Sequence, residues 1–315
     1  MTRRPCLALV SIFLLSWGEL AAQDAPETAA LAASLLRVEY ALRDRPPEDR
    51  ERAELNQAFD RATLAFFAGQ VDAVVQAMDA LAARIEPDAG VRARQGARAD
   101  EVILALPGRR RILEGDHPPI PYRLQGPGGG AGPAGYPVIV ALHGAGGNEH
   151  MFLEAYGAGR LAELADSLGF VVISPFTPAL GQAPGGLAGL LDAAEAEFPV
   201  DRSRVYLLGH SMGAGVAWNL VRRDPGVAQG VVCLAGPCGG GAPRTGGEGP
   251  GGWPPLLVVG GALDPIAPPA RLEAAAAEGR ASGVGVEVRI QANQGHTLLV
   301  GAVLDEVVRW LLEPR

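Results

Sequence analysis

Short runs of apolar, mostly β-branched residues at 138–142, 170–173, 205–208, 231–234 and 256–259, with a further strand expected at 286–290, constrain this chain more than any other feature. A strand buried on one face alternates apolar with polar, whereas a strand covered on both faces reads as a continuous apolar run. Helical patterns fall between these runs, at 159–168, 187–198, 216–222, 270–278 and 303–312. Alternation of that kind predicts an α/β domain: a mainly parallel sheet with helices on both faces. Earlier strands are expected at 102–106 and 120–124, followed by a Gly/Pro-rich turn at 126–135.

The first third differs. Leu31, Leu35, Val38 and Leu42 recur at helical spacing, as do Leu55, Phe59, Leu64 and Phe67, and then Val74, Met78, Leu81 and Ile85. Pro46-Pro47, Gly69 and Pro87 punctuate this helical extension. Burial of helix against helix accounts for its stripes without any function. Before it stand Arg3 and Arg4, an apolar run from Cys6 to Trp17, and small residues up to Ala22. That is the pattern of an export signal, too short for a spanning helix. The expected organisation is therefore a signal peptide over 1–23, a helical extension over 24–98 and a catalytic domain over 99–315. An exported protein, periplasmic or secreted and without stable membrane insertion, follows. Export leaves Cys233 and Cys238 where disulfides persist, and a local disulfide or two free thiols both remain open.

Composition excludes some chemistry. The chain has no lysine, so no Schiff base can form on a lysine amine. A net charge of −8 with scattered arginines offers no basic face for nucleic acid. The one cluster, Arg109 to Arg111, reads as a solvated turn.

Directly after the run at 205–208 stands Gly209-His210-Ser211-Met212-Gly213, leading into a helical pattern. With 43 glycines in 315 residues, a serine is so flanked by chance roughly 2% of the time, so the motif alone is weak. Its place at a strand-to-helix junction gives it weight. There a serine occupies a strained turn that aims Oγ out of the sheet, and flanking glycines let the backbones approach.

A serine hydroxyl needs a base. Of His117, His143, His150, His210 and His296, the last lies just past the final strand and ahead of the final helix, where it can reach across the sheet's carboxyl edge. His143 buttresses the turn it begins. Asp264, beyond the run at 256–259, is the carboxylate placed to hold the imidazole's tautomer. Asp192, Glu195, Asp201 and Asp305 read as surface charges. Backbone N–H groups of Met212, at a helix start, and of Ala145, or alternatively Gly146, are the expected oxyanion donors.

Together, residues 143–148, 209–213, 260–264 and 295–296 resemble the α/β-hydrolase superfamily, in particular secreted esterases related to polyhydroxybutyrate depolymerases and feruloyl esterases, and the phospholipase/carboxylesterase and dienelactone-hydrolase groups. The resemblance covers about residues 100 to 315. It implies an α/β-hydrolase fold, with Ser211, Asp264 and His296 in the chain order of that fold. It also implies oxyanion donors at Ala145 and Met212 and hydrolysis of a small-molecule or polymeric carboxylic ester without metal or organic cofactor. A serine peptidase and a non-catalytic binding protein of the same fold are the alternatives. Loops at 176–186 and 239–253 are expected to shape specificity.

Overall fold

A computed structural model describes residues 26–130, 132, 134–241 and 252–313. The expected signal peptide and most of the glycine-rich stretch at 239–252 lie outside the described residues.

Four helices come first: α1 (Pro26–Asp44), α2 (Asp49–Phe67), α3 (Val71–Ile85) and α4 (Ala89–Arg109). The apolar stripes of α1, α2 and α3 meet in one core built from Val38, Leu55, Phe59, Val74, Met78 and Ile85. Each such side chain fully buried stabilises the fold by roughly 1.5–3 kcal/mol. Asp88 caps α4 by accepting from the Val91 N–H at 2.8 Å.

The strand expected at 102–106 is instead the end of α4, which carries the helical segment past residue 98. A short apolar run does not separate strand from helix by itself. Here tertiary contact decides. Ala99 packs with Leu36 and Tyr40 of α1, Ile103 follows on the same face, and Leu104 points to solvent.

The remainder is one eight-stranded sheet: β1 (Arg111–Leu113), β2 (Ile120–Gln125), β3 (Tyr136–Leu142), β4 (Val171–Pro175), β5 (Val200–His210), β6 (Gly230–Leu234), β7 (Leu256–Gly261) and β8 (Val286–Gln291). The spatial order is β1-β2-β4-β3-β5-β6-β7-β8, antiparallel at β1–β2 and β2–β4 and parallel from β4 onward. The connecting helices are α5 (Arg160–Leu168), α6 (Thr177–Gln182), α7 (Gly186–Glu195), α8 (Met212–Arg223), α9 (Pro269–Ala281) and α10 (Leu299–Leu312).

Because side chains alternate along a strand, each run feeds two layers. On one face Val138, Val140, Leu207 and Val258 pack with Leu190, Ala217 and Leu272 of α7, α8 and α9. On the other, Ile139, Leu208, Val232 and Val259 pack with Leu161 of α5 and Val303 and Val307 of α10. Parallel register sends the carboxyl ends of β3, β5, β7 and β8 to one edge, and the loops there carry the residues singled out by sequence.

Cys233, at the end of β6, is disulfide-bonded to Cys238. The arginine triplet is not a solvated turn. Arg110 reaches the fully buried carboxylate of Glu149 at 2.5 Å.

Candidate active site

Ser211 lies between the last residue of β5 and the first of α8, with φ 53° and ψ −112°. A non-glycine residue there is strained, and the surroundings hold it. Its N–H donates to the Leu234 carbonyl at 2.8 Å. A Cβ at Gly209 would collide with the Gly213 carbonyl, and one at Gly213 with the Leu142 carbonyl. Both flanking positions therefore need glycine.

His296 Nε2 lies 3.0 Å from Ser211 Oγ, and its Nδ1 lies 2.7 Å from Asp264 Oδ2. The other Asp264 oxygen accepts from the N–H groups of Ile266 at 2.7 Å and Ala267 at 2.8 Å. Those bonds fix the carboxylate's direction. With Nδ1–H donating to Asp264, Nε2 presents its lone pair to the serine hydroxyl, the arrangement required to take up its proton. Asp264 and His296 are buried, whereas Ser211 is partly exposed.

Two other histidines serve the scaffold. His143 donates from Nδ1 to the Gly144 carbonyl at 2.8 Å and accepts from the Thr177 N–H on Nε2 at 3.0 Å. Burial pushes it down to about 4, so it is neutral. His210 accepts from the Tyr156 hydroxyl on Nδ1 at 2.8 Å and donates from Nε2 to the His296 carbonyl at 3.2 Å. Burial, and next the charge of His296, hold it well below the ordinary histidine value. The turn after His143 closes with Gly147 N–H on the Gly144 carbonyl at 3.2 Å and Gly146 at φ 78°. Ala145 and Gly146 border the cavity at Ser211, and Met212 opens α8, where first-turn N–H groups have no partner within the helix.

Sequence reasoning missed the helical extension's part in this site. The cavity beside Ser211 is walled by Leu35, Phe59, Phe66 and Met78 of α1, α2 and α3 together with Ile103 and Leu106 of α4. Among the described residues, neither 176–186 nor 239–253 lines it. Residues 177–182 form α6, which supports His143, and Gly240 accepts from Trp218 Nε1 at 2.9 Å beside Trp253. Asn56 and Asp60 of α2 also touch the loop that carries His296. The Gly295 N–H donates to Asn56 Oδ1 at 2.8 Å, and the His296 N–H to the Asp60 carboxylate at 3.1 Å. Two buried polar residues within an otherwise apolar helical stripe were the available signal, since such groups are seldom buried without a partner.

Four carboxylates read as surface charges are exposed or ion-paired with arginine: Asp192 and Glu195 with Arg202, Asp201 with Arg204 and Asp305 with Arg160.

No family model matches the chain. A stretch of 115 residues, 31% of this chain, is 29% identical to feruloyl esterase B of Neurospora crassa and spans 38% of that protein. The match thus covers well under half of the curated relative. Among solved structures, FAE superposes with a TM-score of 0.51 at 12% identity, over 62% of this chain and 84% of its own. The esterase Est2 of Thermogutta terrifontis gives 0.49 at 14%, over 64% and 91%. At such identities the likeness to solved structures is one of fold.

Proposed function

We propose that this chain, an α/β-hydrolase by fold, is a serine esterase in which Ser211 is the nucleophile, His296 the general base and Asp264 its orienting carboxylate. The observation that carries the reading is the continuous hydrogen-bonded series Asp264–His296–Ser211 at the strained turn after β5. As Ser211 Oγ attacks the ester carbonyl, its proton passes to His296 Nε2 and the carbonyl π electrons move onto oxygen. Backbone N–H groups of Ala145 and Met212 stabilise that oxyanion. Collapse expels the alcohol, which takes the proton from His296, and leaves an acyl-enzyme. Water, deprotonated by His296, then releases the acid and restores Ser211.

Apolar side chains wall the cavity beside Ser211, which favours esters carrying a compact apolar group over strongly polar ones. Export to an oxidising compartment is part of the proposal, and the Cys233–Cys238 disulfide supports it. Turnover of a short-chain aryl ester by purified protein, with labelling by a fluorophosphonate, tests the assignment. Ser211→Ala is expected to abolish labelling and to lower kcat by at least about a thousandfold. Undiminished turnover in that variant would refute it.

A further inference from the structure

The histidine of the proposed triad stands on a loop between β8 and α10 that has no regular secondary structure of its own. A general base has to be held closely, because a displacement of about 1 Å can cost on the order of a hundredfold in rate. What holds this loop comes from outside the sheet. Asn56 Nδ2 donates to the Asn293 carbonyl at 3.2 Å, and Asn56 Oδ1 accepts from Gly295 N–H at 2.8 Å. Both oxygens of Asp60 lie 3.1 Å from the backbone nitrogen of His296. Residues 56 and 60 are four apart on α2 and so share a face. A Cβ at Gly295 would run into the Asp60 carboxylate, so helix and loop are in direct contact.

We infer that Asp60 and Asn56 are positioning residues for the base: α2 grips the 293–297 loop, and Asp60 adds a second negative charge behind the imidazole. The inference rests on the triad reading above. Asp60 and Asn56 are each 2% exposed, and burying a carboxylate is costly unless its bonds and charge are used. The titratable groups facing Asp60 are His296 and Asp264 of the sheet domain. Burial pushes its carboxyl up to about 6, against the pull of the His296 N–H and charge, while Asp264 pushes the same way as burial. At and above neutral pH Asp60 is therefore ionised. In that form it favours the imidazolium that appears when Ser211 gives up its proton.

The test compares purified Asp60→Asn, Asn56→Ala and Ser211→Ala proteins in kcat, KM and the pH profile of kcat/KM on one aryl ester. Asp60→Asn is expected to lower kcat about tenfold with little change in KM, and to move the acid limb to lower pH because the imidazolium loses a neighbouring charge. Asn56→Ala keeps that charge, so kcat falls while the acid limb stays. A merely structural role would lower the melting temperature without moving the limb. Unchanged kcat in both variants, with Ser211→Ala inactive, overturns the inference and leaves the triad standing. An acid limb that does not move in Asp60→Asn overturns the electrostatic part. Activity persisting in Ser211→Ala would instead refute the triad reading on which the inference rests. Should Asp60→Asn fail to fold, Asn56→Ala decides, and undiminished kcat there counts against the grip.

Discussion

At the scale of single residues, backbone strain and close approach mark the site more sharply than charge does. Ser211 is held at positive φ, and Gly146, at φ 78°, closes the turn that presents Ala145 to the same cavity. A side chain at Gly146 would meet both penalties at once: a backbone region that L-residues disfavour and a collision with the ring of Phe66. Gly146→Ala is therefore expected to lose about 1–3 kcal/mol of stability and to reduce kcat by shifting the Ala145 N–H. Thermal unfolding and steady-state kinetics on the same preparation check both halves. A folded variant with undiminished kcat would remove this turn from the proposed oxyanion site.

Among elements, the segment from the end of α4 to β2 shows how a charge cluster can be structural. Glu149, fully buried, is bonded by Arg110, while Arg123 of β2 bridges His150 Nδ1 at 3.1 Å and Glu154 at 2.9 Å. Burial pushes Glu149 up, but His150, its Nε2 3.0 Å from the carboxylate, and the hydrogen bond and charge of Arg110 outweigh it and hold the carboxyl at about 2. A depressed carboxyl contributes stability above its unfolded value and loses it only as pH falls through the folded one, so this cluster persists into strong acid. Glu149→Gln leaves Arg110 facing a neutral group and is expected to cost on the order of 3 kcal/mol, read as a lowered urea midpoint near neutral pH. The parts of the molecule legible in sequence were those with local causes. Strands such as 138–142 and 256–259 advertise burial on both faces, and Ser211, Asp264 and His296 sit at strand ends where the chain order places them. Tertiary contact alone made residues 102–106 a helix, aimed Arg110 inward and put Asn56 and Asp60 behind His296. No spacing within α2 encodes a partner more than 230 residues away.

For the molecule as a whole, the helical extension and the sheet domain meet across buried carboxylates, and that makes their union sensitive to pH. Glu39 of α1 accepts from Gly157 N–H at 3.2 Å, and Arg43, Arg160 and Asp305 line the same cavity. Burial pushes its carboxyl up to about 8, against the bond from Gly157, as burial pushes that of Asp60 up to about 6. Each folded value stands above the unfolded one. The stabilising contribution is then complete below the unfolded value and is lost as pH rises through the folded value. Rising pH should thus lower the stability that the junction contributes, first through Asp60 and then through Glu39, while the sheet's own apolar core is unaffected. Glu39→Gln and Asp60→Asn combined should flatten the fall in melting temperature between pH 5 and pH 9, with the gain over the parent growing as pH rises. Hydrogen exchange would locate the effect in α1, α2 and the 293–297 loop rather than in the central strands. A parent protein whose stability is flat across that range would show that these carboxylates do not govern the junction. If the combined variant is steadier yet slower, the ionised Asp60 is a case of stability given up where the proposed base must be held.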